Sequence, residues 1–428
     1  MCEVRALLQG RADLCGAAPC LIVIKLSLIR AAKRPIWNAM ADIDSAPRRA
    51  GNAMPLPNHV ALVLQGGGAL GSYQAGVIEG LAEVGIEIDW VAGISIGAIN
   101  SAIVAGNPPA RRVERLRAFW DKVTSALPSF PIFPNDHVRE WVHDWSAGYV
   151  LAAGVPGFFA PRPVPPQFAL PGSSAALSYY DTSPLVETLN ELVDWELLNT
   201  GPVRLSVGAV NVENGNFRYF DTSIERIDAR HIMASGALPP GLPPVEIDGS
   251  LWWDGGLVSN TPLSHVLENQ SEPMLAFQVD LFPAANTPPK TMADVESREK
   301  EIRYSSRTRL ISDQAMRKRR EHEAIRRVLD KLPEALRQDA DVAKLAAIAE
   351  DKPLNIVQLI HRANAWEGGS RDYEFSARTM AEHWAAGRKA IDEAMSNAQI
   401  IAENILTGTS AAFDICPYRA AHQPIVRK

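Results

Sequence analysis

Short apolar runs alternate with amphipathic stretches along the first part of the chain. Residues 59–65 and 90–92 are nearly continuous apolar runs of the kind that form buried strands. After a glycine-containing turn, each is followed by a stretch with helical periodicity, over 72–83 and 98–105. A strand, a helix and a second strand in this order form a βαβ unit, whose strands are parallel and joined by a right-handed crossover. The pattern therefore predicts an α/β fold with a mainly parallel sheet.

The same patterns place further elements downstream. Helices are predicted over 110–124, 183–192 and 229–238, and strands over 203–212, 217–220, 274–282 and a segment that ends at Asp254. Thr261 and Pro262 favour the N-cap and the first position of a helix, so another helix is expected to start there.

Residues 127–172 differ from their surroundings, because prolines and aromatic residues dominate and the pattern places no regular element. The aromatic residues of this segment are Phe130, Phe133, Trp141, Trp145, Tyr149, Phe158, Phe159 and Phe168. Two interpretations remain open: a lid or wall that contacts an apolar substrate, and an irregular insertion packed on the core.

Ser95 lies in the pentapeptide Gly93-Ile94-Ser95-Ile96-Gly97, between the apolar run 90–92 and a helix. The spacing is that of a nucleophile elbow, a sharp turn that exposes the serine hydroxyl. A side chain at Gly93 or Gly97 would clash with nearby backbone, and the following helix points its free N–H groups at the serine. The pentapeptide alone is a weak signal, because a structural turn of small residues has the same spacing.

Two further motifs strengthen this interpretation. The loop Gly66-Gly67-Gly68-Ala69-Leu70-Gly71 follows the first strand, where consecutive glycine N–H groups can bind an anion. The tripeptide Asp254-Gly255-Gly256 places a carboxylate on a turn that ends a later strand. A glycine loop, an elbow serine and Asp-Gly-Gly in this order are far more specific than any one of them.

In these motifs the chain resembles the patatin-like phospholipase family, over roughly residues 59–283. The resemblance implies a three-layer α/β fold, with a mainly parallel central sheet flanked by helices and a mostly helical C-terminal region. It also implies a catalytic dyad of Ser95 as nucleophile and Asp254 as base. The implied oxyanion donors are Gly66, Gly67, Gly68 and Ile96, and the implied elbow and turn glycines are Gly93, Gly97, Gly255 and Gly256. The family usually carries Lys or Arg where this chain has Leu70, so that position supplies no cation.

The function implied by the resemblance is lipid acyl hydrolysis through an acyl-enzyme, of the phospholipase A or lysophospholipase type, without a cofactor. A carboxylate with a pKa of about 3.9 is a weak base at neutral pH, so Asp254 is expected to be partly buried. One alternative is an α/β-hydrolase-type esterase with a Ser-His-Asp triad. Its base would be His265, His322, His361 or His383. Another alternative is a catalytically silent lipid-binding protein on the same scaffold.

Composition narrows the partners and the compartment. The formal charge of −6 over 428 residues gives no reason to expect nucleic acid as a partner, and the 46% hydrophobic content describes a globular protein. The four cysteines, Cys2, Cys15, Cys20 and Cys416, leave the region between them without cross-links, as in a reducing compartment. We therefore expect a cytoplasmic protein, and the resemblance implies that it acts on lipid or acyl esters, with peripheral contact to an anionic membrane. The sequence does not determine its oligomeric state.

The chain is long enough for two domains. We expect a catalytic domain over 58–289 and a C-terminal domain over 290–428, with helices over 299–332 and 377–395 and a strand over 354–360. Residues 1–57 are expected to be a disordered extension, with Met40 or Met54 as the translation start. The alternative is a membrane-touching segment around 21–29, which is too short to span a bilayer.

Two remaining features concern charge and metal binding. The run Arg317-Lys318-Arg319-Arg320 is interpreted either as a solvated helix face or as a patch for anionic lipid headgroups. The nine histidines include no pair at i, i+4, so no cluster of metal ligands is expected.

Overall fold

The computed structural model describes residues 54–127, 135–364 and 366–414, except for the side chains of 306–309. The predicted extension up to residue 53, the four cysteines and residues 128–134 of the aromatic segment lie outside the described residues. Met54 and Leu56 are buried in the main core. The folded part therefore begins before residue 58, where the prediction had placed its start.

The described residues form eleven strands. They are β1 (His59–Leu64), β2 (Trp90–Gly93), β3 (Ala160–Pro161), β4 (Tyr180–Asp181), β5 (Arg204–Asn211), β6 (Phe217–Asp221), β7 (Val245–Ile247), β8 (Ser250–Asp254), β9 (Met274–Asp280), β10 (Leu354–Ile360) and β11 (Ala411–Asp414). Nine of them make one sheet in the order β11-β10-β9-β1-β2-β5-β8-β7, with β6 paired to β5. All pairs from β11 to β5 are parallel, whereas β6, β7 and β8 pair antiparallel. The prediction of a mainly parallel sheet is confirmed.

Thirteen α-helices surround the sheet in the described residues. They are α1 (Gly71–Glu83), α2 (Ile96–Ala105), α3 (Pro109–Val123), α4 (Asp136–Ala153), α5 (Ser183–Leu192), α6 (Trp195–Thr200), α7 (Ala229–Ser235), α8 (Leu263–Glu268), α9 (Met292–Leu329), α10 (Glu334–Arg337), α11 (Ala340–Ile348), α12 (Ala377–Met395) and α13 (Ala398–Thr407). None of these helices is long and apolar enough to cross a membrane.

The strands are apolar on both faces, and each face has its own hydrophobic core. Along β1, Leu62 and Leu64 belong to the larger core, which α1, α2, α3 and α12 help to form. Ala61 and Val63 of the same strand belong to the smaller core, together with α8 and side chains of α9. Because successive strand residues point to opposite faces, this alternation makes three layers. The predicted three-layer architecture is confirmed.

The C-terminal region is built into the same sheet. The predicted strand over 354–360 is confirmed as β10, and β11 extends the sheet beyond it. In the larger core, α12 packs on α1 so closely that a Cβ on Gly76 would lie 1.9 Å from the carbonyl oxygen of Trp384. The boundary at residue 290 stays a prediction.

Two local predictions were wrong. Residues 136–153 form an 18-residue helix, α4, in a segment for which no regular element was expected. The exposed aromatic side chains of α4 obscured its amphipathic pattern. At the start of α8, Pro262 rather than Thr261 is the N-cap, and no side chain caps the helix.

Candidate active site

The elbow holds Ser95 in a backbone conformation that non-glycine residues rarely adopt, with φ 55° and ψ −123°. Its flanking glycines allow the turn to close. A Cβ on Gly93 would lie 2.3 Å from the carbonyl oxygen of Gly97, and a Cβ on Gly97 would lie 2.5 Å from that of Leu64. The backbone N–H of Ser95 donates to the carbonyl and the hydroxyl of Ser235, each at 3.1 Å. Tertiary contacts thus stabilise a strained turn at the start of α2.

Strand β5 brings the Asp-Gly-Gly turn to the serine. Its edge pairs first with β2, where Gly93 lies opposite Val207, and then with β8, where Asp254 lies opposite Ala209. Gly93 ends β2 and Asp254 ends β8, and their partners on β5 are only two positions apart. Because β8 runs antiparallel to β5, these two strand ends therefore approach each other along that edge. The glycines allow close approach here too, since a Cβ on Gly255 would lie 2.6 Å from the carbonyl oxygen of Gly208.

Asp254 and Ser95 are in direct contact. The Ser95 hydroxyl donates a hydrogen bond to the Asp254 carboxylate. The N–H of Gly256 donates to Oδ1 of the same carboxylate at 2.7 Å. Burial raises the pKa of Asp254 to about 7, although the hydrogen bonds from Gly256 and Ser95 act in the opposite direction. The carboxylate is therefore poised to exchange a proton near neutral pH.

The glycine loop lies beside this pair, since a Cβ on Gly66 would be 3.1 Å from Cβ of Ser95. The N–H of Gly66, however, already donates to the carbonyl of Asn260 at 3.1 Å. Gly66 was therefore wrongly predicted to be an oxyanion donor, because its N–H is engaged within the fold. The N–H groups of Gly67 and Gly68 are not donated to another backbone group within the described residues. Ile96 opens α2, where a helix N–H has no intrahelical acceptor.

Three residues that the sequence reasoning missed also belong to the site. Asn260 is buried, and its side-chain amide donates to the carbonyl of Gly66 at 2.9 Å. Ser235 holds the elbow through its two contacts with the Ser95 N–H. Burial, followed by the nearby carboxylates of Asp254 and Asp372, raises the pKa of Tyr304. Of the three, Asn260 alone had a sequence signal, its position in the Asn-Thr-Pro sequence that follows the Asp-Gly-Gly turn.

The C-terminal region supports the glycine loop directly. The N–H of Ala69 donates to the carbonyl of Asp372 at 2.8 Å. Gly68 has a φ of +54°, and a Cβ there would lie 2.0 Å from that same carbonyl oxygen. Lys300 of α9 forms an ion pair with the side chain of Asp372 at 2.8 Å. Leu70 is fully buried, so its side chain packs in the core instead of facing the loop.

The four histidines considered as an alternative base contact other carboxylates. The nitrogen–oxygen distances are 3.0 Å for His265 and Asp221, 2.8 Å for His322 and Asp351, 3.0 Å for His383 and Glu367, and 3.5 Å for His361 and Glu367. Across the described part of the chain, none of these contacts involves Ser95 or Asp254.

Two of these histidines belong to a cluster of metal-ligand residue types. His361, Glu367 and His383 are all buried, and their candidate ligand atoms lie within 4.8 Å of one another. The expectation that the chain has no cluster of metal ligands is therefore wrong. It relied on i, i+4 spacing within one helix, whereas the fold collects these residues from a strand end, a loop and α12.

The described part of the aromatic segment has one anchored side and one exposed side. On the anchored side, Ser146 donates to Glu374 and Arg139 forms an ion pair with Glu382 at 2.8 Å. The exposed large apolar side chains of the segment are Val138, Trp141, Trp145, Tyr149, Leu151, Val164, Phe168 and Leu170. Beyond the segment, β4 contacts the loop that precedes β7, because the N–H of Tyr180 donates to the carbonyl of Gly241 at 3.0 Å.

Two family models match the chain. One, described as patatin-like phospholipase, matches residues 62–267, and the other, described as patatin phospholipase, matches residues 302–404. The first match contains the elbow and the Asp-Gly-Gly turn, and the second contains α12 and most of α9.

Individual relatives match shorter parts. The rat patatin-like phospholipase domain-containing protein 7 is 27% identical over 207 residues, which are 48% of this chain and 12% of that protein. Lysophospholipase nte1 of Aspergillus terreus is 59% identical over 46 residues, 11% of this chain and 3% of that protein. The crystal structure of VipD from Legionella pneumophila covers 85% of this chain and 80% of its own, with 15% identity and a TM-score of 0.32. The chain spans 12% or less of the length of these two curated relatives.

Proposed function

Because the chain belongs to the patatin-like phospholipase family, we propose that it is a serine hydrolase that cleaves carboxylic esters of lipids. In this proposal Ser95 is the nucleophile and Asp254 is the base. The observation that carries it is the hydrogen bond from the Ser95 hydroxyl to a buried carboxylate whose pKa is raised to about 7.

The reaction proceeds in two halves. In the first, the Ser95 oxygen attacks the ester carbonyl while Asp254 accepts the hydroxyl proton, and the tetrahedral intermediate then expels the alcohol, which takes that proton. In the second, Asp254 accepts a proton from water as the water attacks the acyl-enzyme. Breakdown of the second intermediate releases the fatty acid and returns the proton to Ser95.

The raised pKa of Asp254 makes this direct proton transfer feasible. A carboxylate with an ordinary pKa would accept the serine proton only weakly, whereas one with a pKa of about 7 combines basicity with a substantial ionised fraction at neutral pH. The hydrogen bond from the Gly256 N–H to Oδ1 helps to fix the orientation of the carboxylate.

The negative charge on the carbonyl oxygen would be stabilised by backbone N–H groups. Gly67, Gly68 and Ile96 supply the donors, and the N-terminal end of α2 adds a favourable dipole. In hydrolases, loss of one such donor costs about 3 kcal/mol of transition-state stabilisation. Gly66 contributes through its position beside Ser95 and through its two bonds with Asn260.

The substrate class follows from the apolar surface near the site. A phospholipid or lysophospholipid must leave its membrane or micelle to place an acyl ester at Ser95. The exposed aromatic and aliphatic side chains over 138–170 offer a surface for this transfer. We assign this surface to contact with a lipid aggregate, in line with the interpretation as a lid or wall. The exposed Arg317, Lys318 and Arg320 are available for anionic headgroups, whereas Arg319 donates to Gln270 at 2.6 Å.

The test compares hydrolysis of a soluble p-nitrophenyl ester and of a lysophospholipid by wild type, Ser95→Ala, Asp254→Asn and the double variant. Each single change should lower kcat/KM by about a thousandfold or more, and the double variant should be little worse, because the two residues act as one unit. Circular dichroism and thermal unfolding show whether each variant is folded.

His265→Gln and His322→Gln are the matched controls, since each removes a buried or half-buried histidine that is paired with a carboxylate other than Asp254. Both should keep activity within about threefold of wild type. A folded Ser95→Ala variant with retained activity overturns the proposal. A wild type that binds lipid vesicles without hydrolysing either substrate would instead identify a silent binding protein.

A further inference from the structure

A buried cluster of two histidines and one glutamate lies outside the proposed dyad. His361 directly follows β10, Glu367 lies in the next loop, and His383 lies in α12. Their exposed fractions are 2%, 5% and 1%. Titratable side chains are rarely buried to this extent unless they are paired or bind an ion.

The ligand atoms of the cluster converge on one point. Oε2 of Glu367 lies 3.0 Å from Nε2 of His383 and 3.5 Å from Nε2 of His361. In a tetrahedral zinc site with bonds of about 2.0–2.2 Å, neighbouring donor atoms are about 3.4 Å apart. The two histidine–carboxylate spacings bracket this value, and all the candidate ligand atoms lie within 4.8 Å of one another, so an ion could be bound after an adjustment of the side chains.

Hydrogen bonding alone leaves the cluster incomplete. Within the described residues, Nδ1 of His383 is buried without a hydrogen-bond partner, and Nε2 of His361 has only the long 3.5 Å contact with Glu367. Buried polar atoms normally have partners, and each exception needs an explanation. An ion between the two imidazole rings and the carboxylate would give Nε2 of His361 a close partner in place of this long contact.

The carboxylate is also oriented as a ligand would be. Oε1 of Glu367 accepts hydrogen bonds from the backbone N–H and the side-chain amide of Asn364, at 3.1 and 2.7 Å. These bonds direct Oε2 toward the two histidines. Metal-binding carboxylates are commonly held by such outer contacts.

We propose that His361, Glu367 and His383 bind one divalent transition-metal ion, with zinc as the best fit to two imidazole nitrogens and one carboxylate oxygen. The three side chains are buried, so the ion has a structural role and does not contact the lipid substrate. The proposal is independent of the chemistry at Ser95.

The ion would cross-link the segment that supports the glycine loop. The loop that contains Glu367 continues to Asp372, whose carbonyl accepts the Ala69 N–H. His383 lies one position before Trp384, whose backbone packs on Gly76 of α1. Metal binding would therefore hold β10, this loop and α12 in the arrangement that positions the glycine loop.

The experiment measures the metal content of the full chain, purified without a histidine tag, by mass spectrometry. We expect about one zinc ion per chain in wild type and less than about a tenth of that in His361→Gln, Glu367→Gln and His383→Gln. His322→Gln is the matched control, because His322 is a buried histidine paired with Asp351 in the same region. It should retain about one ion per chain.

Two measurements keep the test decisive if the variants fail to fold. Removal of zinc from wild type by a chelator should lower the Tm, and added zinc should restore it. Cobalt-substituted wild type should show visible absorption of a tetrahedral site. Wild type that neither contains nor takes up metal overturns the proposal, as does metal retained by all three variants. Iron instead of zinc, lost in the same variants, would overturn the choice of ion and support the site.

Discussion

The backbone N–H of Ala69 donates a hydrogen bond to the carbonyl of Asp372 at 2.8 Å. It joins the glycine loop beside Ser95 to a segment about 300 residues later in the chain. Because Gly68 lies against the same carbonyl, the C-terminal region sets the shape of the loop that would receive the oxyanion. The part of the chain matched by the second family model is thus a structural support of the site in the first.

The packing of α12 on α1 should be intolerant of a single methyl group. In Gly76→Ala the new Cβ would lie 1.9 Å from the Trp384 carbonyl oxygen, so the two helices must separate. We expect the free energy of unfolding to fall by about 2 kcal/mol or more in urea titrations.

Gly148→Ala is the control for this change, because Gly148 lies within α4 and a Cβ there would meet nothing within 4 Å. It should raise the free energy of unfolding by about 0.5–1 kcal/mol, since alanine restricts the unfolded chain. Equal effects of the two substitutions would contradict the close contact between α1 and α12.

The activity should depend on one group that titrates near neutrality. Burial raises the pKa of Asp254 from 3.8 to about 7, and a base must be deprotonated to act. We therefore expect kcat/KM on a soluble ester to rise with pH through about 7 and then level off.

The temperature dependence of this midpoint distinguishes the carboxylate from a histidine. A carboxyl group ionises with an enthalpy near zero, whereas the pKa of a histidine falls on warming. The midpoint should therefore hardly move with temperature. The temperature test also applies to His361 and His383. A substitution of either histidine is less informative, because it is expected to disturb the cluster around Glu367. A midpoint that falls steadily on warming would contradict Asp254 as the base.

The raised pKa of Asp254 should also make the free energy of unfolding depend on pH. The folded state binds the Asp254 proton more tightly than the unfolded chain, so this contribution to stability is present below pH 3.8 and is lost as the pH rises through about 7. The unfolding free energy of Asp254→Asn relative to wild type should therefore increase over this range. A difference that is independent of pH would show that folding does not raise the pKa of Asp254.

Asn260 should act on kcat through the position of Gly66. Asn260→Ala and Asn260→Asp both remove the amide that donates to the Gly66 carbonyl, and the aspartate also adds an acceptor facing it. We expect kcat to fall about tenfold to a hundredfold in the alanine variant and further in the aspartate variant, with little change in KM.

Asn269→Ala is the control, because this asparagine is exposed at the end of α8. It should leave both constants unchanged. If Asn260→Ala raised KM and left kcat intact, Asn260 would contact the substrate instead of positioning the glycine loop.

The exposed apolar side chains of the aromatic segment should matter only on lipid aggregates. Phe168 and Leu170 are 81% and 80% exposed, and burial of each in a membrane would be worth about 1.5–3 kcal/mol. The double change to serine should lower turnover on phospholipid vesicles by about tenfold or more and leave a soluble ester unaffected.

Ile224→Ser is the matched control for this surface, since Ile224 is 78% exposed but lies after β6, outside the segment. It should change neither activity. Equal losses on vesicles and on the soluble ester would point to a defect in the fold of the segment.

The sequence by itself determined the elements whose signals are local. The strands before Gly66 and Ser95, the helix over 183–192 and the strand over 354–360 follow from local apolar patterns with glycine or proline near one end. The requirement for glycine at Gly93 and Gly97 also follows from the local motif, because a sharp turn brings backbone close to both positions. In the structure, a Cβ at either position would clash with a backbone atom.

Tertiary structure alone decided which of the predicted site residues lie together, and it alone set their pKa values and hydrogen-bond partners. Asp254 reaches Ser95 because β2 and β8 share one edge of β5, a pairing that no local pattern specifies. Its pKa is raised by burial among distant parts of the chain, and the Gly66 N–H is engaged by a residue almost 200 positions away. His361, Glu367 and His383 come from a strand end, a loop and a helix, so a spacing rule for a single helix does not find them. Each of these relationships depends on long-range packing, which fixes the distance between residues independently of their separation along the chain.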